Sequence, residues 1–118
     1  MIPTPTTYPT TYVVNNKDSS DPGEHWVALY IKNKNLIYYF DSLALKPNPC
    51  LSEYLKKFEK IVKNERPIQN IFSDTCAHFC IFFIIHMSRV NSFHAIIDYL
   101  EQNPDTDSYV RYFVNKMI

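Results

Sequence analysis

The chain has 118 residues, 46% of them hydrophobic and 15% aromatic, and its basic and acidic side chains balance to a formal charge of zero. That length holds one core without room for a second, the aromatic content excludes a disordered polar chain, and the neutral total offers no global field for nucleic acid or an anionic membrane. A single glycine, Gly23, stands against eight prolines, so turns must be made by Asn, Asp, Pro and Ser.

Residues 1–10 are Thr- and Pro-rich without periodicity and read as an extended arm, lacking the charged-then-apolar layout of a signal peptide. Tyr12-Val13-Val14-Asn15 has the β-branched character of a short strand, followed by a polar loop to Gly23. Two aromatic and β-branched runs, His25 to Ile31 and Leu36 to Asp41, flank the polar turn Lys32 to Asn35 and predict an antiparallel hairpin over 24–41. Such a hairpin brings His25 and Asp41 together at its open end. After a Pro-punctuated loop, apolar residues at 51, 54, 55, 58, 61 and 62 predict a helix, with Lys56, Lys57, Lys60 and Lys63 on a solvated face. Pro67 to Ile71 reads as a short extended piece. Ser73, Asp74 and Thr75 are capping residues ahead of a central helix over 75–88, whose run Ile81 to Ile85 is far too short to span a bilayer. Phe93 to Leu100 gives another helix, stopped by Asn103-Pro104, and Asp107 to Met117 a last one. The expected architecture is α+β, one domain over 1–118, with a small antiparallel sheet packed against the central and flanking helices.

Chemistry concentrates at the start of the central helix. Cys76 falls in its first turn, where unpaired backbone N–H groups and the positive end of the macrodipole favour a thiolate. A cysteine hydrolase also needs an imidazole, a group to orient it and donors for an oxyanion, and His25, Asp41 and Gln69 are the residues of those kinds. Taken singly, each has a plainer reading: Cys76 a small buried hydrophobe, His25 a strand-end residue, Asp41 a cap, Gln69 surface. Cys80 is expected to pack inward. A zinc cluster of Cys76, His78, Cys80 and His86 fails on geometry, because His78 points away from the helix face shared by Cys76 and Cys80. No metal or cofactor is expected. Three cysteines, an odd number, fit free thiols in a reducing, intracellular compartment.

Gly23-Glu24-His25-Trp26, then Tyr39-Phe40-Asp41-Ser42, then Pro67-Ile68-Gln69 ahead of Ser73-Asp74-Thr75-Cys76-Ala77-His78-Phe79-Cys80 together resemble the adenovirus-type (adenain-like) cysteine proteases of large DNA viruses and Maverick/Polinton transposons, within the clan of ubiquitin-like-protein proteases. The resemblance implies a papain-like superfold, with His25 as general base, Asp41 as its partner, Gln69 as oxyanion donor and Cys76 as nucleophile. It implies an endopeptidase acting on viral or transposon precursor proteins, with virion maturation as its setting and host nucleus, virus factory or virion as its location. An activating peptide or DNA is expected only by analogy with the family, and no membrane partner is expected. A ubiquitin- or SUMO-like isopeptidase and a non-catalytic protein-binding module are the alternatives. The family usually carries glycine directly after the nucleophile and soon after the acidic residue, where this chain has Ala77 and Leu43-Ala44-Leu45; either position is strained if it requires positive φ. Adenoviral members also carry more sequence before the first strand, so an N-terminal portion of the family's domain is expected to be lacking.

Overall fold

The strand Trp26–Asn33 (β2) is the axis of the molecule, because its side chains are buried on both faces of the sheet. Val27, Leu29 and Ile31 face one core while Ala28 and Tyr30 face the other, which is why the run reads as continuously apolar rather than alternating. The structure, a computed structural model, describes residues 2–17, 24–70 and 74–117. Gly23, Ile71 and Ser73 therefore lie outside the described residues.

β2 pairs antiparallel with Thr10–Asn15 (β1) on one side and with Leu36–Phe40 (β3) on the other, with Ala28 opposite Phe40 and a register shift between Ile31 and Asn33. The hairpin forms as the sequence predicts. The predicted helix over 51–62 does not. Asn48 caps a shorter helix, Pro49–Leu55 (α1), by accepting the Leu51 N–H at 2.8 Å, with Pro49 in its first turn where no N–H is needed. Lys60–Lys63 (β4) is instead a strand, parallel to β3, with Ile61 beside Ile37 and Val62 beside Tyr38. The open hydrogen bonds of β3's edge and the β-branched pair Ile61-Val62 outweigh the helical spacing carried over from residues 51–58. The sheet is accordingly four-stranded and mixed, in the order β1-β2-β3-β4, rather than wholly antiparallel. Lys60 and Lys63 sit on an edge strand, whereas Lys56 and Lys57 lie in the turn that follows α1.

Cys76–Arg89 (α2), Phe93–Gln102 (α3) and Thr106–Met117 (α4) follow near their predicted positions. They cover the Ala28 and Tyr30 face in a core built from Phe40, Phe79, Phe82, Phe83, Phe93 and Leu100, while α1 covers the Val27 and Leu29 face through Leu51, Tyr54 and Leu55. Phe40 stacks on Phe83 with centroids 4.7 Å apart, which docks α2 directly onto the end of β3. The N-terminal arm is held by Ile2, packed on the α1 side, and by the Tyr54 hydroxyl, which donates to the Pro3 carbonyl. No helix among the described residues is long and apolar enough to cross a membrane.

Of the two positions where the resemblance calls for glycine, one carries positive φ. Ala77 is an ordinary helical residue of α2, whereas Ala44 sits at φ 52° in a turn closed by its N–H on the Asp41 carbonyl at 2.9 Å. A side chain in this region costs about 1–2 kcal/mol, and the extra freedom of unfolded glycine gives back about 0.5–1 of that. Ala44→Gly is therefore expected to stabilise the fold by about 0.5–1 kcal/mol, read as an increased midpoint in urea unfolding.

Candidate active site

His25, Asp41 and Cys76 lie together beside the N-terminus of α2, and Gln69 is held next to Asp41 through Ser42. His25 precedes β2, Asp41 follows β3, Gln69 lies beyond β4, and Cys76 is the first residue of α2. All four are buried or nearly so, with His25 7% and Cys76 8% exposed, so the sulfur and imidazole sit just beneath the surface.

His25 and Asp41 are positioned by the ends of their strands and by three asparagines. The His25 N–H donates to Asn15 Oδ1 at 3.0 Å, and its carbonyl accepts the Asn16 N–H at 2.7 Å. The Asp41 backbone is gripped on both sides by Asn64, whose Oδ1 accepts the Asp41 N–H at 3.1 Å and whose Nδ2 donates to the Asp41 carbonyl at 2.7 Å. Its carboxylate accepts the Leu43 N–H at 2.8 Å and a longer bond from Asn16 Nδ2 at 3.4 Å. Against this fixed carboxylate lies His25 Nε2, 2.5 Å from Asp41 Oδ1. A carboxylate only accepts, so Nε2 carries the proton and Nδ1 is the ring atom left to face the sulfur.

The imidazole lies beside the Cys76 sulfur, and the backbone N–H groups of Trp26 and Ala77 also favour its anion. Bonding to His25 holds the thiol below its ordinary pKa, against the opposing effect of burial. Conversely, burial disfavours the charge on His25, but its bonds to Asp41 and Cys76 prevail and lift its pKa to about 9. The two shifts run in opposite directions and favour the same charged pair of sulfur and imidazole. The first turn of α2 contains no acidic residue to compete for its positive end. Cys80, one turn further on, is buried in the core, and burial pushes its thiol well up. It packs inward as expected, and all three cysteines are free.

Gln69 is held by Ser42, the residue after Asp41. The Ser42 carbonyl accepts the N–H groups of Ile68 and Gln69 at 2.7 and 3.0 Å, and its hydroxyl donates to Gln69 Oε1 at 2.5 Å. In this bond Oε1 faces Ser42, which leaves the Nε2 donors on the other side of the amide. The Asn and Ser supports escaped sequence reading because such residues in loops default to turn-making. Asn64 was further hidden behind β4, which the spacing presents as helix. The expected cap at Thr75 also differs: its side chain makes no capping bond, and Asp74 instead pairs with Arg111 at 2.9 Å.

No protein-family model and no curated protein matches this chain. Among solved structures it is similar to the crystal structure of the selenomethionine form of the ASFV pS273R protease, at 21% identity and a TM-score of 0.56 over 88% of this chain. The fold is the papain-like one. The chain spans 42% of that protein's length, and at this identity the likeness establishes the fold alone.

Two surface clefts adjoin residues near the reactive pair. One, about 480 Å³, lies between residues 66–70 and the α3–α4 connection and reaches Gln69; the other, about 440 Å³, is lined by Tyr12, Val14, Trp26 and Leu51. Trp26, half-buried, thus bridges the core and the second cleft, and its backbone N–H favours the sulfur anion. Among the described residues no group of three or more His, Cys, Asp or Glu is placed to hold a metal ion.

Proposed function

We propose that the chain is a cysteine protease that cleaves peptide bonds through a thioester intermediate. The observation that carries this reading is the buried row Cys76, His25 and Asp41, in which Asp41 holds the imidazole at 2.5 Å and sulfur and imidazole are shifted in opposite directions toward an ion pair. The Cys76 thiolate attacks the carbonyl carbon, and the carbonyl π pair moves onto oxygen, where the Gln69 Nε2–H and the Cys76 N–H receive it. As the intermediate collapses, the C–N bond breaks and the His25 imidazolium gives its proton to the leaving amine. Neutral His25 then takes a proton from water, whose oxygen attacks the thioester and releases the acid and the thiol. Asp41 keeps the ring in the productive tautomer throughout.

The fold it shares with the ASFV pS273R protease supports the class, and the order His25, Asp41, Gln69, Cys76 with the flanking motifs supports the adenovirus-type lineage and a role in processing viral or transposon precursors.

The test is labelling with a peptide vinyl sulfone followed by mapping of the modified peptide. Modification at Cys76 is expected, and modification confined to the exposed Cys50 would reject the proposal. Gln69→Ala is expected to lower kcat by about 10²–10³, the cost of removing one oxyanion donor. Its KM should change little, since the ground-state carbonyl needs that donor less than the oxyanion does.

A further inference from the structure

The connection between Gln69 and Cys76 is tied at both described ends to one carboxylate on a different element. Asp107, in the first turn of α4, accepts the Asn70 N–H on Oδ1 at 2.8 Å and the Thr75 hydroxyl on Oδ2 at 2.6 Å. Asn70 directly follows Gln69, and Thr75 directly precedes Cys76. Thr75 is the cap residue of α2, where a hydroxyl normally turns to the helix N–H groups; here it is fully buried and directed to Asp107 instead. The start of α4 is a favourable place for that negative charge, and bonds to a carboxylate are stronger than those between neutral groups. One turn later on α4, Arg111 reaches Asp74 through an exposed pair of little energetic weight.

An oxyanion site built from the Gln69 amide and the Cys76 N–H works only if both donors converge on one point at about 2.7–3.1 Å. A misplacement of about 1 Å can cost about a hundredfold in rate. We propose that Asp107 is a positioning residue that sets the spacing between Gln69 and Cys76, making α4 part of the catalytic apparatus without contact to substrate. The proposal rests on the roles given above to Cys76 and Gln69.

Two reagents separate positioning from general disorder, applied in a Cys50→Ser background to silence the exposed thiol. Iodoacetamide alkylates the thiolate at a saturated carbon, forming C–S and expelling iodide with no oxyanion. p-Nitrophenyl acetate acylates the same sulfur through a tetrahedral oxyanion and expels p-nitrophenolate. Asp107→Ala is expected to slow acylation by about 10- to 100-fold while alkylation changes less than about threefold, since the thiolate itself is untouched. Asp107→Asn, which can still accept from Asn70 and donate to the Thr75 oxygen, should recover most of the loss. Thr75→Val, which removes one bond at nearly constant shape, should fall between them and serves if Asp107→Ala does not fold. Unchanged acylation in Asp107→Ala or Thr75→Val, or equal losses with both reagents, would overturn the positioning role alone. A wild type no more reactive toward either reagent than a free thiol would overturn the Cys76 assignment, and this inference with it.

Discussion

Cys76→Ala is expected to abolish peptide-bond cleavage, with a loss of at least about 10⁴-fold in kcat, while leaving the fold intact. Both parts follow from where the sulfur lies. It occupies the edge of the core, 8% exposed, so deleting one atom removes little packing, and alanine at the first position of α2 keeps the helix start. Cys80 cannot substitute, because it lies within the core and burial holds its thiol protonated. Cys50 belongs to α1 on the opposite side of the sheet. Cys76→Ser should be nearly as inactive, since the site lowers the pKa of a thiol by an amount that leaves a hydroxyl still protonated. The measurement is hydrolysis of a protein or peptide substrate alongside thermal unfolding of the same samples. Residual cleavage within tenfold of wild type would remove Cys76 from the mechanism.

The second large effect is expected at His25. His25→Ala removes both the proton carrier and the charge that stabilises the thiolate, and kcat/KM should fall by about 10⁴ or more. The pH dependence follows the directions in which the two groups are shifted. In wild type, activity appears as Cys76 loses its proton, below the range of an ordinary thiol, and declines through about pH 9 as His25 loses the proton it must give to the leaving amine. Because the two groups titrate as a pair, the limbs belong to the pair and not to either residue alone. In His25→Ala the alkaline limb should vanish and the acid limb should move up toward the usual thiol range. A wild-type profile without a decline near pH 9 would contradict the assigned imidazolium.

The parts of this site that could be read from the sequence are those whose chemistry and local pattern coincide. The aromatic hairpin places His25 and Asp41 at one end through its antiparallel pairing, and the apolar run after Cys76 announces α2. β4 was not legible. Ile61 and Val62 continue the helical spacing of Leu51 to Phe58, and only the unpaired edge of β3, a tertiary circumstance, recruits them to the sheet. The supports of the site were hidden for a related reason. Asn16 and Asn64 reach Asp41 from positions 25 and 23 residues away, and Asp107 reaches Asn70 and Thr75 from 37 and 32. Nothing local distinguishes such residues from ordinary turn and helix-start polar groups. The glycine comparison was informative in part: the missing glycine after Asp41 corresponds to a real positive φ at Ala44, whereas Ala77 is helical and needs none.

The most direct test of the account is the rate of iodoacetamide alkylation at Cys76 as a function of pH, measured in the Cys50→Ser background with and without His25→Ala. The account predicts that Cys76 reacts as a thiolate well below the pH at which an ordinary thiol does, and that His25→Ala shifts this reactivity upward toward the ordinary range. Reactivity that follows an ordinary thiol in both proteins would contradict it.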